Sequence, residues 1–236
     1  MDTTVWRSNG VIIGAIVAGI AIIGVALWYT GVIQIGAPRA PSLEKELVIS
    51  ADLPEDVRAL VVQSVEKLKI ELRTDSTNVA AWLDLAIRYK TAGNFDDAVE
   101  IWEYLAAEYP TDYVAFHNLG EHYFHEVENY PKAESYYRQA ITAAPEFSIN
   151  YLDLHDLYRY VYKQETTAAV DILKEALTKI DGSQSIDVLS ALARYYETKG
   201  DIENARANFT LARDVAKKIG NPSLVERLDA ELKRLK

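Results

Sequence analysis

Apolar residues fall along this chain in two regimes. From Val11 to Tyr29 the sequence VIIGAIVAGIAIIGVALWY runs nineteen residues without a charge, and the apolar character continues to Ile33. At about 1.5 Å of rise per residue this stretch spans roughly 30 Å, the thickness of a bilayer's hydrocarbon core. Residues 11–33 are therefore expected to form a transmembrane helix, with Trp28 and Tyr29 at one interface and Trp6 with Arg7 at the other. A cleaved signal peptide is the competing reading. The run is long for one, and Pro38 after Ile35-Gly36-Ala37 is a poor first residue for a cleaved product. With Arg7 set against Arg39 and Lys45, the flanking charges discriminate little between orientations. The short tail, residues 1–10, is expected to stay inside, so that the C-terminal domain of a single-pass protein of a bacterial inner membrane lies outside the cytoplasm. Gly10, Gly14 and Ala18 recur every fourth residue, a stripe on which two spans would pack as a homodimer.

Residues 34–53, with Pro38 and Pro41 near their start, read as a tether of roughly 25 Å reach. Beyond them the apolar residues take helical spacing. Trp82, Leu85, Ala86 and Tyr89 are followed by Ala98, Trp102 and Leu105, and the pattern returns with Phe116, Leu119, Gly120 and Tyr123, then Ala133, Tyr137 and Ala140. It returns again from Tyr151 and from Leu189, so the first anchors lie 34, 35 and 38 residues apart. Offsets of 3, 4 and 7 mark one face of an α-helix, and each unit is two antiparallel helices that cannot bury their apolar faces alone. Four such units are expected over residues 78–218. A helix at 54–73, opened by a capping box at Asp52–Glu55, and another at 222–236, opened by one at Ser223–Glu226, are expected to cap the two ends. Gly93 and Gly200 stand where a helix should end in the left-handed conformation.

The stretch WLDLAIRYKTAGNFDDAVEIWEYLAAEYP resembles the tetratricopeptide repeat, and the spaced positions that carry the resemblance recur over about residues 79–217. The expected fold is all-α, a tetratricopeptide-like solenoid of antiparallel helix pairs with capping helices behind a single membrane span. Departures centre on the third unit, where the turn is two residues longer, the closing proline is missing and His155 replaces a small residue. The resemblance implies a concave groove lined by the first helix of each pair, which binds a peptide or helix of a partner protein. Counted from the anchors, that groove is expected to present Leu83, Ile87, Lys90, His117, Asn118, Glu121, Phe124 and His125, then Leu152, Asp153, Asp156, Arg159 and Tyr160, then Ser190, Arg194 and Glu197. Leu83, Ile87, Ile149 and Asp153 stand where chaperone-binding members carry basic or amide groups for a terminal carboxylate, so a basic or amphipathic ligand suits the groove better. The architecture is similar to that of anchored accessory factors of secretion or envelope assembly, which makes a scaffold the leading expectation, a self-oligomerising spacer the alternative and a metal-binding protein the weaker alternative.

Composition narrows this further. The net charge is -10 with no basic run, which sets nucleic acid aside, and the absence of cysteine removes disulfides and thiolate metal sites. No phosphate loop, nucleophile elbow or HExxH is present, so no enzyme and no cofactor are expected. HNLGEHYFHE, residues 117–126, holds three of the four histidines. His117, Glu121 and His125 share one helix face but span about 12 Å, too far for one ion, so no metal is expected unless Asp156 from the next unit joins two of them. His122 and Glu126 fall outside both the packing and the groove sets. The strip is expected to bind a partner with an affinity that changes as its histidines protonate near pH 6 to 7.

Overall fold

The structure, a computed structural model, describes residues 39–235. The expected span at 11–33 and its Gly10, Gly14 and Ala18 stripe lie outside the described residues. Among the described residues, no helix is long and apolar enough to cross a membrane.

Ten α-helices and no strands are described: α1 (Glu55–Thr74), α2 (Val79–Ala92), α3 (Phe95–Glu108), α4 (Tyr113–His125), α5 (Tyr130–Ala143), α6 (Ser148–Tyr160), α7 (Ala168–Ala176), α8 (Gly182–Thr198), α9 (Ile202–Lys218) and α10 (Pro222–Arg234). Helices α2 to α9 pack as four consecutive pairs, α1 lies on α2, and α10 lies on α9, giving a tetratricopeptide-like solenoid. The alternation of small and large residues decides how closely the pairs approach. Ala98, Ala133, Ala169 and Ala205 are all buried, and the aromatics Trp82, Trp102, Tyr137, Tyr151 and Phe209 fill the spaces between them. Three apolar clusters follow one another along the stack.

Helix ends explain the regular and irregular turns. Gly93 and Gly200 adopt φ of 92° and 76°, closing α2 and the α8–α9 turn at low steric cost. The longer turns of the second and third units carry no glycine there, and place Glu128 and Lys163 in the left-handed region instead, at φ of 56° and 61°. In the third unit α7 is only nine residues long. His155 is buried there, and its Nδ1–H donates to the Ala169 carbonyl over 2.7 Å, so the bulky ring is held by a hydrogen bond where other units place alanine or glycine.

Neither expected capping box forms. Helix α1 starts after Pro54 without a side-chain cap, and Arg58 instead donates to the carbonyl oxygens of Leu53 and Ala51. Helix α10 is capped two residues earlier than expected, by Asn221, whose side chain accepts from the Leu224 N–H at 3.1 Å, with Pro222 in the first turn.

The larger correction concerns the tether. Residues 40–53 are a strap bound along the first helix pair. Leu43, Leu47 and Ile49 pack against the first cluster while Glu44, Glu46 and Val48 face outward, the alternation of an extended chain. Ser50 N–H donates to the Ala92 carbonyl at 2.9 Å, Val48 exchanges hydrogen bonds with the Asn94 amide, and Lys45 pairs with Asp97 at 2.6 Å. A chain beginning at Ala51 is therefore expected to be about 2–4 kcal/mol less stable than one beginning at Ala40, since it lacks Leu43, Leu47 and Ile49 and uncovers the part of the first cluster against which they pack. Urea unfolding of the two chains measures this, and coincident midpoints would refute it.

Candidate functional site

The first helices of the second and third pairs, α4 and α6, bring the sequence-predicted residues of the central strip together. His117 and Glu121 lie one turn apart on α4, and Asn150 and Asp153 lie three residues apart on α6. His117 Nδ1 is 3.1 Å from Asn150 Oδ1 and 3.5 Å from Asp153 Oδ2. Tyr137, fully buried on α5, donates its hydroxyl to Glu121 Oε1 at 2.7 Å. Ligand-type atoms of His117, Glu121 and Asp153 all lie within 4.8 Å of one another.

The electrostatics of this cluster follow from burial. Loss of solvent, reinforced by the neighbouring Glu121 and Asp156 carboxylates, pushes the Asp153 carboxyl up to about 7. Burial lowers the His117 pKa against the opposing pull of Glu121, so its ring is neutral at pH 7. Burial and the Glu121 carboxylate push the Tyr137 phenol far up, which keeps it a hydrogen-bond donor. The expected histidine titration near pH 6 to 7 is thus displaced downward for His117, and burial does the same to His122.

His122 lies outside both sets by spacing, yet it is buried among Phe95, Trp102 and Tyr123. Its place seven residues after Ala115 was the available signal. Phe124, expected to face the groove, is a half-buried member of the second cluster, stacked on His125 at 4.0 Å and edge-on to Tyr130. His125 Nε2 is 3.7 Å from Glu121. On α2, Leu83 packs against the first cluster, Ile87 is exposed, and Lys90 is half-buried. Asn118 is half-buried on α4.

Farther along, α6, α8 and α10 enclose a cleft of about 760 Å³. Asp156, Arg159, Tyr160 and Arg194 line it, together with the apolar Leu152, Ile186 and Leu224. Arg159 lies over the Tyr160 ring at 5.0 Å and donates to Thr198 at 3.3 Å, while Arg194 pairs with Glu231 at 3.6 Å. The contribution of α10 was missed, because an amphipathic last helix reads as a cover, although its apolar row also walls this cleft.

Comparison with known proteins agrees with the geometry. Residues 115–148, which span α4, α5 and the start of α6, match the tetratricopeptide repeat family model. Among solved structures, the chain is similar to MamA, with 22% identity and a TM-score of 0.51 over 72% of this chain and 98% of that one. It is also similar to PilF of Pseudomonas aeruginosa, with 18% identity and a TM-score of 0.52 over 76% of this chain and 86% of that one. No curated protein sequence matches the chain. Residues 115–148 therefore carry a tetratricopeptide repeat, and the helices around them share the solenoid fold of such proteins.

Proposed function

We propose that this protein is a membrane-anchored docking module, held by residues 11–33, whose cleft between α6, α8 and α10 takes a helix or extended segment of a partner protein. The domain faces away from the cytoplasm in this reading and serves as an accessory factor, not as an enzyme. The observation that carries it is the composition of the cleft. Of its four arginines, Arg194 is engaged by Glu231, Arg234 by Glu197 and Glu231, and Arg159 by the Thr198 hydroxyl, which leaves Arg227 as the one without a partner among the described residues. Among the described residues Asp156 has no lysine or arginine within pairing distance; the buried His155 ring lies 4.0 Å away, and burial lowers its pKa. With Leu152 and Ile186 as apolar floor and Tyr160 55% exposed at the edge, the cleft suits an amphipathic segment with a basic side chain directed at Asp156.

A photo-crosslinking residue at position 160 or 187 of the full chain in its native membrane should yield one discrete adduct with another protein. The same residue at Gln139, exposed on the second helix of its pair, should not. Tyr160→Ala with Asp156→Lys should weaken the captured partner by about 30-fold or more, the loss of an aromatic anchor and a charge complement. Adducts only with further copies of this chain would replace the docking reading with a self-assembling spacer, and equal adducts from all positions would remove it.

A further inference from the structure

The groove's central strip contains a group of side chains that partner docking does not use. Glu121 and Asp153 face each other across α4 and α6, and among the described residues neither forms an ion pair with lysine or arginine. Among the described residues, the ionisable side chains of opposite type within pairing distance of them are His117 and His125. Beside them sits Asn150, which has no solvent exposure. Its Nδ2 has no hydrogen-bond partner, and its Oδ1 is directed at His117 Nδ1. A buried amide left half-satisfied, with its oxygen against the imidazole that lies beside both carboxylates, is not explained by packing.

Ligand-type atoms of His117, Glu121 and Asp153 lie close enough together to hold one ion, with Asn150 Oδ1 against the imidazole. One imidazole nitrogen, two carboxylates and an amide carbonyl suit a divalent first-row ion such as Zn²⁺, whereas Ca²⁺ takes six to eight oxygens and soft ions take sulfur. The pairing of residues one turn apart on two neighbouring helices turns the side chains toward one point. This removes the objection that three ligands on a single helix are too far apart. Tyr137 supplies the outer support, because its hydroxyl fixes one oxygen of Glu121 and leaves the other free.

We infer that His117, Glu121 and Asp153, assisted by Asn150 Oδ1, form a Zn²⁺-type divalent metal site that bridges α4 and α6 and ties two consecutive helix pairs together. The site stands independently of the partner-docking cleft, which shares none of these four residues.

The test is calorimetric titration of ZnCl₂ into full-length protein in detergent micelles after EDTA treatment and dialysis. One Zn²⁺ per chain is expected, with a Kd of roughly 10 μM or tighter. His117→Ala and Asp153→Ala should abolish it, and Tyr137→Phe should weaken it about 10-fold, as loss of an outer-shell hydrogen bond does. His125→Ala should leave it unchanged. Helical circular dichroism establishes that each variant is folded, and His117→Gln, which keeps a polar group of similar reach, is the replacement if His117→Ala is not. Visible absorption of Co²⁺ bound to the unaltered protein provides a second readout that needs no variant. The inference is overturned if the unaltered protein shows neither saturable Zn²⁺ binding nor a Co²⁺ spectrum. It is equally overturned if binding survives unchanged in the folded His117 and Asp153 variants.

Discussion

Gly120→Leu is expected to destabilise the protein by more than about 3 kcal/mol, and even Gly120→Ala by about 1–3 kcal/mol. An added Cβ at Gly120 would meet the Cδ1 and Cε1 atoms of Tyr137 at 2.7 Å each, well inside ordinary contact. The ring has no room to yield, because Tyr137 is fully buried and its hydroxyl is held by Glu121. In a solvent-exposed helix the alanine would gain about 1 kcal/mol over glycine, so a net loss isolates the contact between α4 and α5. The equivalent places in the first and fourth units carry Ala86 and Ala193 opposite Trp102 and Phe209, which shows that the fold itself admits a methyl there. What excludes it in the second unit is the close approach of Tyr137. Urea unfolding of Gly120→Ala, Tyr137→Leu and the double variant should give a double variant less destabilised than the sum of the singles. Strict additivity would show that the two positions do not press on each other.

The same contact shows how far the sequence could be read. Gly120 and Tyr137 occupy repeat positions whose roles follow from spacing alone, so the helix pairs and their mutual burial were legible from the 3.6-residue period. Partners that come from a different element were not. The strap carries just three inward residues, Leu43, Leu47 and Ile49, at alternate positions beside Pro41, and so short an extended run does not separate from a linker. His122 is enclosed by Phe95, which belongs to the preceding unit, and a wheel drawn on α4 contains no such neighbour. The candidate site illustrates this best. His117 and Glu121 were legible as one face, but Asn150 and Asp153 meet them only because of the rotation between the second and third units. Tyr137 and Tyr151 are buried in one cluster where those units meet, a contact between elements that no local pattern displays.

Asp153→Asn is expected to stabilise the metal-free protein at pH 8 by about 2–4 kcal/mol and to change it little at pH 4 or below. Burial and the facing carboxylates of Glu121 and Asp156 push the Asp153 carboxyl up to about 7, above the value of roughly 3.9 for an unfolded chain. A group with a raised folded value favours folding fully below its unfolded value and loses that contribution as pH rises through the folded one. Ionisation of Asp153 therefore costs stability progressively from about pH 4 and in full above about pH 7. His117, 3.5 Å away, offers no compensating charge, because burial keeps its ring neutral, and the Tyr137 hydroxyl is committed to Glu121. Asparagine keeps the shape and removes the charge, so its melting temperature in EDTA should exceed that of the unaltered protein by roughly 5–10 °C at pH 8, with the two converging as pH falls toward 4. Equal melting temperatures at both pH values would mean that Asp153 is adequately solvated or paired as an anion. If the gap appears in EDTA and closes when Zn²⁺ is added to the unaltered protein, the destabilising carboxylate is the one the ion neutralises. The strain at Asp153 and the metal site between α4 and α6 would then be two consequences of one placement of charge.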